Sequence, residues 1–142
     1  MRISAKTEYA SIAMLELTAA YGGGEPVRIR TIADAHGIPS RFLVQILLQL
    51  KGAGYVASTR GASGGYQLAK SPDEITLGEV MQVIDGQEEA ITSSTTNDSP
   101  ASRVLINAWN EVADVERRML HAVTFAELAA RVRKQAENMY YI

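Results

Sequence analysis

Hydrophobic positions along residues 29–50 follow the spacing of two short helices separated by a break at Gly37. Apolar residues three or four positions apart lie on one face of a helix. Gly37 can supply the positive φ of a tight turn, and Pro39 suits the start of the second helix. The pattern therefore predicts a helix-turn-helix. Its apolar faces are Ile32, Ala33 and Ala35 in the first helix and Leu43, Ile46, Leu47 and Leu50 in the second.

A β-hairpin is predicted directly after the second helix, which Gly52 and Gly54 end. Residues 55–59 favour a strand, residues 60–65 form a glycine-rich turn, and residues 66–68 return as a second strand. A helix-turn-helix followed at once by such a hairpin is a winged helix. The hairpin is then the wing.

Capping residues mark the start of the other helices. Ser4 is an N-cap that opens a first helix reaching about Tyr21. Thr76 and Thr124 are each followed three residues later by a glutamate, the signature of a capping box. The helix after Thr76 is expected to reach about Ile84, and the helix after Thr124 is the last in the chain.

The chain accordingly divides into four predicted parts, and its fold class is mainly α with a small β-hairpin wing. Residues 1–86 form a winged helix-turn-helix DNA-binding domain. Residues 87–103 are rich in Ser, Thr, Asn and Asp and form a flexible linker. Residues 104–133 hold a long dimerisation helix and the helix that follows, and residues 134–142 are a C-terminal tail.

The predicted long helix carries a second apolar pattern, with steps of three and four residues. Such a stripe is typical of two helices that pack along their length. We expect it to pair two subunits, and the alternative is that it packs on the protein's own first helix. The stripe consists of Leu105, Ala108, Val112, Val115, Met119 and Ala122.

Charge is distributed unevenly along the 142 residues. Residues 1–70 hold eight Lys/Arg and four Asp/Glu, a net charge of +4, whereas residues 71–142 hold six and twelve, a net charge of −6. A basic half suits a nucleic-acid module. The N-terminus has no secretory signal and no stretch reaches transmembrane length, so we expect a cytoplasmic protein without a membrane partner.

The predicted winged helix offers the chemistry that reads double-stranded DNA. The second helix begins with Ser40 and Arg41, and Gln45 follows one turn later, so three polar side chains can reach base edges or phosphates. Arg60 is the one cation at the wing tip and can enter a minor groove. The small residues Gly64 and Gly65 allow backbone N–H groups to approach phosphates. The alternative is that both elements are scaffolding.

An enzyme is the rival class, and the sequence does not favour it. The glycine-rich residues 61–65 lack the Gly-Lys-Ser/Thr of a phosphate-binding loop and lead into a strand. Adjacent carboxylates such as Asp73 and Glu74 lie in polar turns, where they are solvated charges. We therefore expect no catalytic residues.

Several motifs resemble the Rrf-type winged-helix regulators, and the likeness covers nearly the whole chain. They are Arg60-Gly-x-x-Gly-Gly-Tyr66, the preceding Ile32-Ala33 and Gly37-Ile38, the following Ile75-Thr-Leu-Gly-Glu-Val80, and Met1-Arg-Ile-Ser4 with Lys6 and Tyr9. The resemblance implies a homodimer on an inverted-repeat operator. It adds Arg2, Lys6 and Tyr66 to the expected DNA-binding residues, although Arg2 and Lys6 could also be solvated surface charges. Arg28, which flanks the first helix of the helix-turn-helix, is a further candidate for phosphate contact.

Family members that bind an iron–sulfur cluster carry three cysteines in the predicted linker and a further ligand on the next helix. This chain has no cysteine, and Arg103 and Ile106 stand near the positions of the last cysteine and the further ligand. The two histidines, His36 and His121, lie in different segments without the spacing of metal ligands. We expect no metal and no cofactor, and the missing thiols exclude disulfides and thiol redox sensing within the chain.

The chain closes with Met139, Tyr140, Tyr141 and Ile142, which are unusually apolar for a terminus. These residues either dock on the dimer or bind a partner. The resemblance is greatest to the family's cysteine-metabolism repressors, which work in complex with cysteine synthase (O-acetylserine sulfhydrylase). That enzyme is therefore a candidate partner, and the alternative is a cluster-free regulator that responds to another small-molecule or redox signal.

Overall fold

Six α-helices and a two-stranded antiparallel sheet make up the computed structural model, which describes residues 1–139. The predicted fold class, mainly α with a small β-hairpin, is confirmed. In chain order the elements are α1 (Ala5–Ala19), α2 (Ile29–His36), α3 (Ser40–Gly52), β1 (Val56–Thr59), β2 (Gly65–Leu68), a 3-10 turn (Pro72–Glu74), α4 (Leu77–Asp85), α5 (Pro100–Leu120) and α6 (Phe125–Met139).

The predicted helix-turn-helix is formed by α2 and α3. Gly37 ends α2 with φ 66°, the left-handed conformation that the turn requires. Pro39 is the residue just before α3 and fixes an extended entry with φ −60°. The wing follows in antiparallel register, with Val56 opposite Leu68 and Thr59 opposite Gly65.

Caps define the helix starts as predicted. Ser4 accepts a hydrogen bond from Thr7 N at 3.1 Å, and α1 ends at Ala19, two residues before the expected limit. Thr76 and Glu79 form the full capping box of α4. Satisfied N–H groups at these starts explain why short helices can form here.

The hydrophobic core is organised around α1. The core side of α1 is fully buried and includes two alanines, whose small size lets other helices approach closely. Side chains from α3, α4 and α6 complete the same cluster. The largest fully buried apolar side chains of this core are those of Met14, Leu17, Ile32, Leu43, Ile46, Leu47, Leu50, Ile75, Val80 and Phe125.

Two main-chain hydrogen bonds attach the α5–α6 turn to the start of α4. Leu77 N donates to Val123 O at 2.8 Å, and Phe125 N donates to Ile75 O at 2.9 Å. Beside them, a Cβ on Gly78 would lie 2.6 Å from a ring carbon of His121, so only glycine lets the imidazole pack there. The C-terminal helices are therefore joined to the winged helix by backbone.

Three predicted boundaries in the C-terminal half were wrong. Helix α5 begins at Pro100, because proline suits the first helical position and Ser99 is the N-cap. The Ser99 Oγ accepts a hydrogen bond from Ser102 N at 3.1 Å. The predicted linker of residues 87–103 therefore loses its last four residues to the helix. At the other end α5 stops at Leu120, so Ala122 lies in the turn beyond it.

The predicted tail of residues 134–142 was also wrong in its first part, because α6 continues to Met139. Residues 134–137 are good helix formers and extend the helix without any apolar period. Tyr140, Tyr141 and Ile142 lie outside the described residues. Within residues 1–139, no helix combines the length and the apolar character needed to cross a membrane.

A hydrogen-bonded cluster fastens the base of the wing to α4. Tyr55, just before β1, donates its hydroxyl proton to Glu79 Oε2 at 2.7 Å, and Thr76 N donates to Glu79 Oε1 at 3.1 Å. Burial, together with the bond to Glu79 and its charge, raises the pKa of Tyr55 to about 12. Burial alone would raise the pKa of Glu79, but bonds from Tyr55 and Thr76 and the charge of Lys70 outweigh it, and the pKa is lowered.

We expect Tyr55→Phe to lower the free energy of unfolding by about 1 to 2 kcal/mol near neutral pH, because it removes a hydrogen bond to a charged group. Because the pKa of Glu79 is lowered, the stabilisation by this hydrogen bond is present above the ordinary carboxyl pKa. It is lost as the pH falls through the pKa of Glu79 in the folded protein. Because the pKa of Tyr55 is raised, the stabilisation by this hydrogen bond is fully present below pH 10.0 and is lost as the pH rises toward about 12. Urea denaturation of both proteins across this range measures the difference.

Tyr21→Phe is the matched control, because Tyr21 is 50% exposed and should show little difference at any pH. A Tyr55→Phe difference that stays constant from acid to alkaline pH would contradict the coupling of the two groups.

Candidate nucleic-acid interface

Helix α3 turns its polar residues away from the core. Leu43, Ile46, Leu47 and Leu50 are all buried, and they occupy one side of the helix. Ser40, Arg41 and Gln45 are exposed on the remaining surface. The three residues predicted to contact DNA from this helix are thus brought together within its first two turns. A helix placed in a major groove contacts bases through this part.

Arg41 is held by an aromatic neighbour that the sequence analysis did not single out. Its guanidinium carbon lies 5.0 Å from the centre of the Phe42 ring, a cation–π distance. The Phe42 ring in turn lies 6.0 Å from the ring of Tyr9 on α1, with an interplanar angle of 43°. The contact restricts the arginine side chain on the surface of α3. The one signal for Phe42 in the sequence is that it is apolar but does not fit the spacing of the buried residues of α3.

The wing tip exposes Arg60, as predicted, but its glycines have another role. Gly64 N donates to Gly61 O at 3.0 Å, so this N–H is already bonded within the turn. A Cβ on Gly64 would overlap the Thr59 carbonyl oxygen, and one on Gly65 would overlap that of Val27. Close backbone packing therefore requires both glycines, within the wing at Gly64 and against the segment before α2 at Gly65.

Tyr66 anchors the wing to the segment before α2. Its N donates to Val27 O at 2.8 Å, and Val27 N donates to Tyr66 O at 2.8 Å. The tyrosine side chain is half-buried against the core. This pairing brings Arg28, the exposed residue before α2, next to Gly65, the residue with which β2 leaves the wing tip.

A lysine links α3 directly to the wing. Lys51 Nζ donates to Ser58 Oγ at 2.7 Å, which joins the last turn of α3 to strand β1. The bond is a solvent-exposed contact between the end of the helix and the hairpin. No pattern in the sequence indicated it.

The two N-terminal cations lie apart from each other. Lys6 precedes Tyr9 by three residues and is therefore on the side of α1 that faces Phe42. Arg2 lies instead in a recess between α4 and α5, whose lining includes Asp85 and His121. The structure brings Lys6, but not Arg2, toward the exposed start of α3.

Helix α5 carries a long apolar surface that its own chain does not cover. None of its residues is buried, and Val112 and Met119 are 65% and 66% exposed. The alternative that this surface packs on the protein's first helix was wrong. We call it the α5 stripe, formed by Leu105, Ala108, Val112, Val115 and Met119, and Val104 and Trp109 widen it. Exposed apolar surfaces of this kind mark interaction sites.

The segment before α5 folds back on that helix through polar groups. Ile91 N donates to Asn110 Oδ1 at 2.9 Å, and Asn110 Nδ2 donates to Ile91 O at 3.0 Å. Arg103 pairs with Asp98 at 3.3 Å, and Ile106 is half-buried. Arg103 and Ile106 stand near the positions where cluster-binding relatives carry ligands, and a cation and an aliphatic side chain cannot ligate an iron–sulfur cluster.

The histidines are engaged elsewhere. His36 Nε2 lies 2.7 Å from Glu16 Oε1, and His121 packs on Gly78. In residues 1–139, no group of three or more His, Cys, Asp or Glu side chains is arranged to hold a metal ion.

Comparison with known proteins identifies the family of this winged helix. Residues 3–131 match the model of Rrf2, described as an iron-dependent transcriptional regulator. The chain belongs to the Rrf2 family. It is 34% identical to the HTH-type transcriptional regulator CymR of Bacillus subtilis over 143 aligned positions, which cover 100% of both chains.

Solved structures of Rrf2 proteins share the fold. The structure titled as CymR, the global cysteine regulator of B. subtilis, superposes with a TM-score of 0.79 at 33% identity and covers 92% of this chain and 98% of that one. IscR of T. potens gives a TM-score of 0.74 at 30% identity, covering 93% and 88%. The family resemblance and the winged-helix fold are confirmed. This Rrf2 protein is a DNA-binding transcriptional regulator, as its similar proteins are named.

Proposed function

We propose that the chain is a homodimeric repressor that binds an inverted-repeat operator in double-stranded DNA without an iron–sulfur cluster, and that it controls cysteine metabolism. The observation that carries the DNA-binding part is the joint exposure of Arg41 and Gln45 on α3 and Arg60 on the wing. Val56 of the wing is buried in the same core cluster as Leu47 and Leu50 of α3, which keeps the two elements packed together. A major-groove helix and a minor-groove arginine can then bind one half-site together.

We expect Arg41→Ala and Arg60→Ala each to weaken binding to a duplex selected from a random pool. The loss should be about 1 to 3 kcal/mol where the arginine contacts a base. A footprinting titration at fixed salt measures it. Arg118→Ala on α5 is the matched control, because it removes the same charge outside α3 and the wing. If the double variant bound as tightly as the wild type, the DNA-binding assignment to these residues would fail.

The α5 stripe supports the dimer. Its exposed side chains recur at steps of three and four, so a second copy can cover them along the length of the helix. A two-fold pair places its two reading helices on successive major grooves, roughly 34 Å apart on an inverted repeat. The small core of a 142-residue chain gains additional buried apolar surface in such a dimer.

We expect Val112→Glu combined with Val115→Glu to give monomers, because paired helices would bury two uncompensated charges. The valines are 65% and 46% exposed, so the single chain should keep its fold. Sedimentation velocity at micromolar concentration measures the state. Asn107→Glu, at an exposed position of α5 outside the stripe, is the control and should remain dimeric. A monomeric wild type would remove the basis of the dimer.

The cysteine-metabolism part rests on two supports. One is the similarity to the B. subtilis regulator, whose structure is titled as a global cysteine regulator. The other is the apolar sequence of residues 139–142. Its first residue, Met139, is the last residue of α6 and is 70% exposed. We propose that this segment binds cysteine synthase. A metabolite that competes for the enzyme's cleft, O-acetylserine, would then release the regulator.

We expect deletion of Tyr141 and Ile142 to abolish binding to the host's O-acetylserine sulfhydrylase while leaving fold and dimer intact. Titration calorimetry of full-length and truncated chains measures the affinity, with O-acetylserine as competitor. Because coupling is reciprocal, operator DNA should tighten the enzyme complex by the factor by which the enzyme tightens DNA binding.

The competing arrangement, a segment buried in the dimer, gives a different result. Truncation would then lower the melting temperature and leave the affinity for the enzyme unchanged. Equal affinity of the two chains for the enzyme would end the cysteine synthase proposal and favour a cluster-free regulator with another small-molecule or redox signal.

A further inference from the structure

Two apolar side chains project from the face of α3 that carries the DNA-binding residues. Val44 is 42% exposed and Leu48 is 55% exposed. With Arg41 and Gln45 they follow the spacing i, i+3, i+4 and i+7, which places all four on one face of the helix. The buried leucines and isoleucine of α3 occupy the opposite side, so the core does not cover this pair.

Phe42 is the third exposed apolar residue of α3, and it differs from the other two. Its ring contacts the guanidinium of Arg41 and the ring of Tyr9. Packing between α1 and α3 therefore accounts for Phe42. Val44 and Leu48 are separated by one helical turn and form a small apolar ridge beside Gln45, one turn after Ser40.

The major groove offers one apolar group to such a ridge, the C5-methyl of thymine, and the other groups on the base edges are hydrogen-bond donors and acceptors. A second protein is a poor occupant, because two side chains fall far short of the roughly 800 Å² per partner in a stable interface. The ridge is also continuous with Arg41 and Gln45, whose guanidinium and amide suit guanine and adenine edges.

We propose that Val44 and Leu48 are specificity-determining residues that contact thymine methyl groups in the operator. This inference rests on the proposed DNA binding. It states that each half-site contains thymines beside the bases contacted by Arg41 and Gln45. Val44, one turn into the groove-facing helix, contacts one methyl, and Leu48 contacts another one helical turn further along.

The test removes single methyl groups from the DNA. A duplex selected by the wild type is resynthesised with deoxyuridine replacing thymidine at one position at a time, which deletes the C5-methyl and keeps every hydrogen-bonding group. We expect a two- to fivefold loss of affinity at one or two positions per half-site, about the value of one buried methyl group. Val44→Ala should lose this sensitivity at one position and Leu48→Ala at another.

Gln45→Ala is the matched control on the same face. It should weaken binding and keep the deoxyuridine sensitivity of the wild type. Salt supplies a second readout, because loss of an apolar contact leaves the slope of affinity against salt unchanged, whereas loss of a phosphate-binding cation reduces it. Circular dichroism verifies that the alanine variants keep their helix content, as expected for two exposed positions.

The outcomes separate the inference from the proposed function. If the wild type selects no duplex, DNA binding by this chain fails and the inference fails with it. If it selects a duplex whose affinity no deoxyuridine changes, DNA binding stands and methyl contact is overturned. If Val44→Ala and Leu48→Ala keep the full sensitivity of the wild type, the methyl groups act through DNA shape, and the inference is again overturned.

Discussion

Burial of one side of α1 is the constraint on which the rest of the molecule depends. Ala10, Ala13 and Met14 are fully buried, and Leu17 nearly so, against residues of α3, α4 and α6. The two alanines set how closely those helices approach, and a larger side chain would force them apart. Since α3 and α6 pack on the same helix, the proposed DNA-reading face and the C-terminal half share one core.

Local patterns were sufficient for most residues that act within their own element, with the N-cap Ser99 of α5 as an exception. The turn at Gly37, the N-cap Ser4 and the capping box of Thr76 and Glu79 depend on neighbours within four residues, and all were predicted from the sequence. The exposed polar face of α3 was predicted for the same reason, because helical spacing places Arg41 opposite the buried residues.

Tertiary contacts account for what the sequence did not reveal. The bond from Lys51 to Ser58 and the aromatic contact of Phe42 with Tyr9 join different elements, and no local pattern encodes them. The burial of Gly64 was missed because its packing partners become neighbours only when the wing closes. Helix α5 begins before its predicted start and α6 extends beyond its predicted end, because their added turns are polar and apolar periodicity does not mark such turns.

The joint between α4 and the α5–α6 turn has a consequence for how this protein can change through evolution. It is made of main-chain hydrogen bonds at Leu77 and Phe125, so the bonds themselves tolerate a change of side chain, although Gly78 must stay glycine and Phe125 belongs to the core. Its length cannot vary in the same way. One inserted or deleted residue between Leu120 and Phe125 would shift the register of both bonds and displace His121 from Gly78. Variation in length should therefore collect in residues 87–99, where no helix or strand is interrupted.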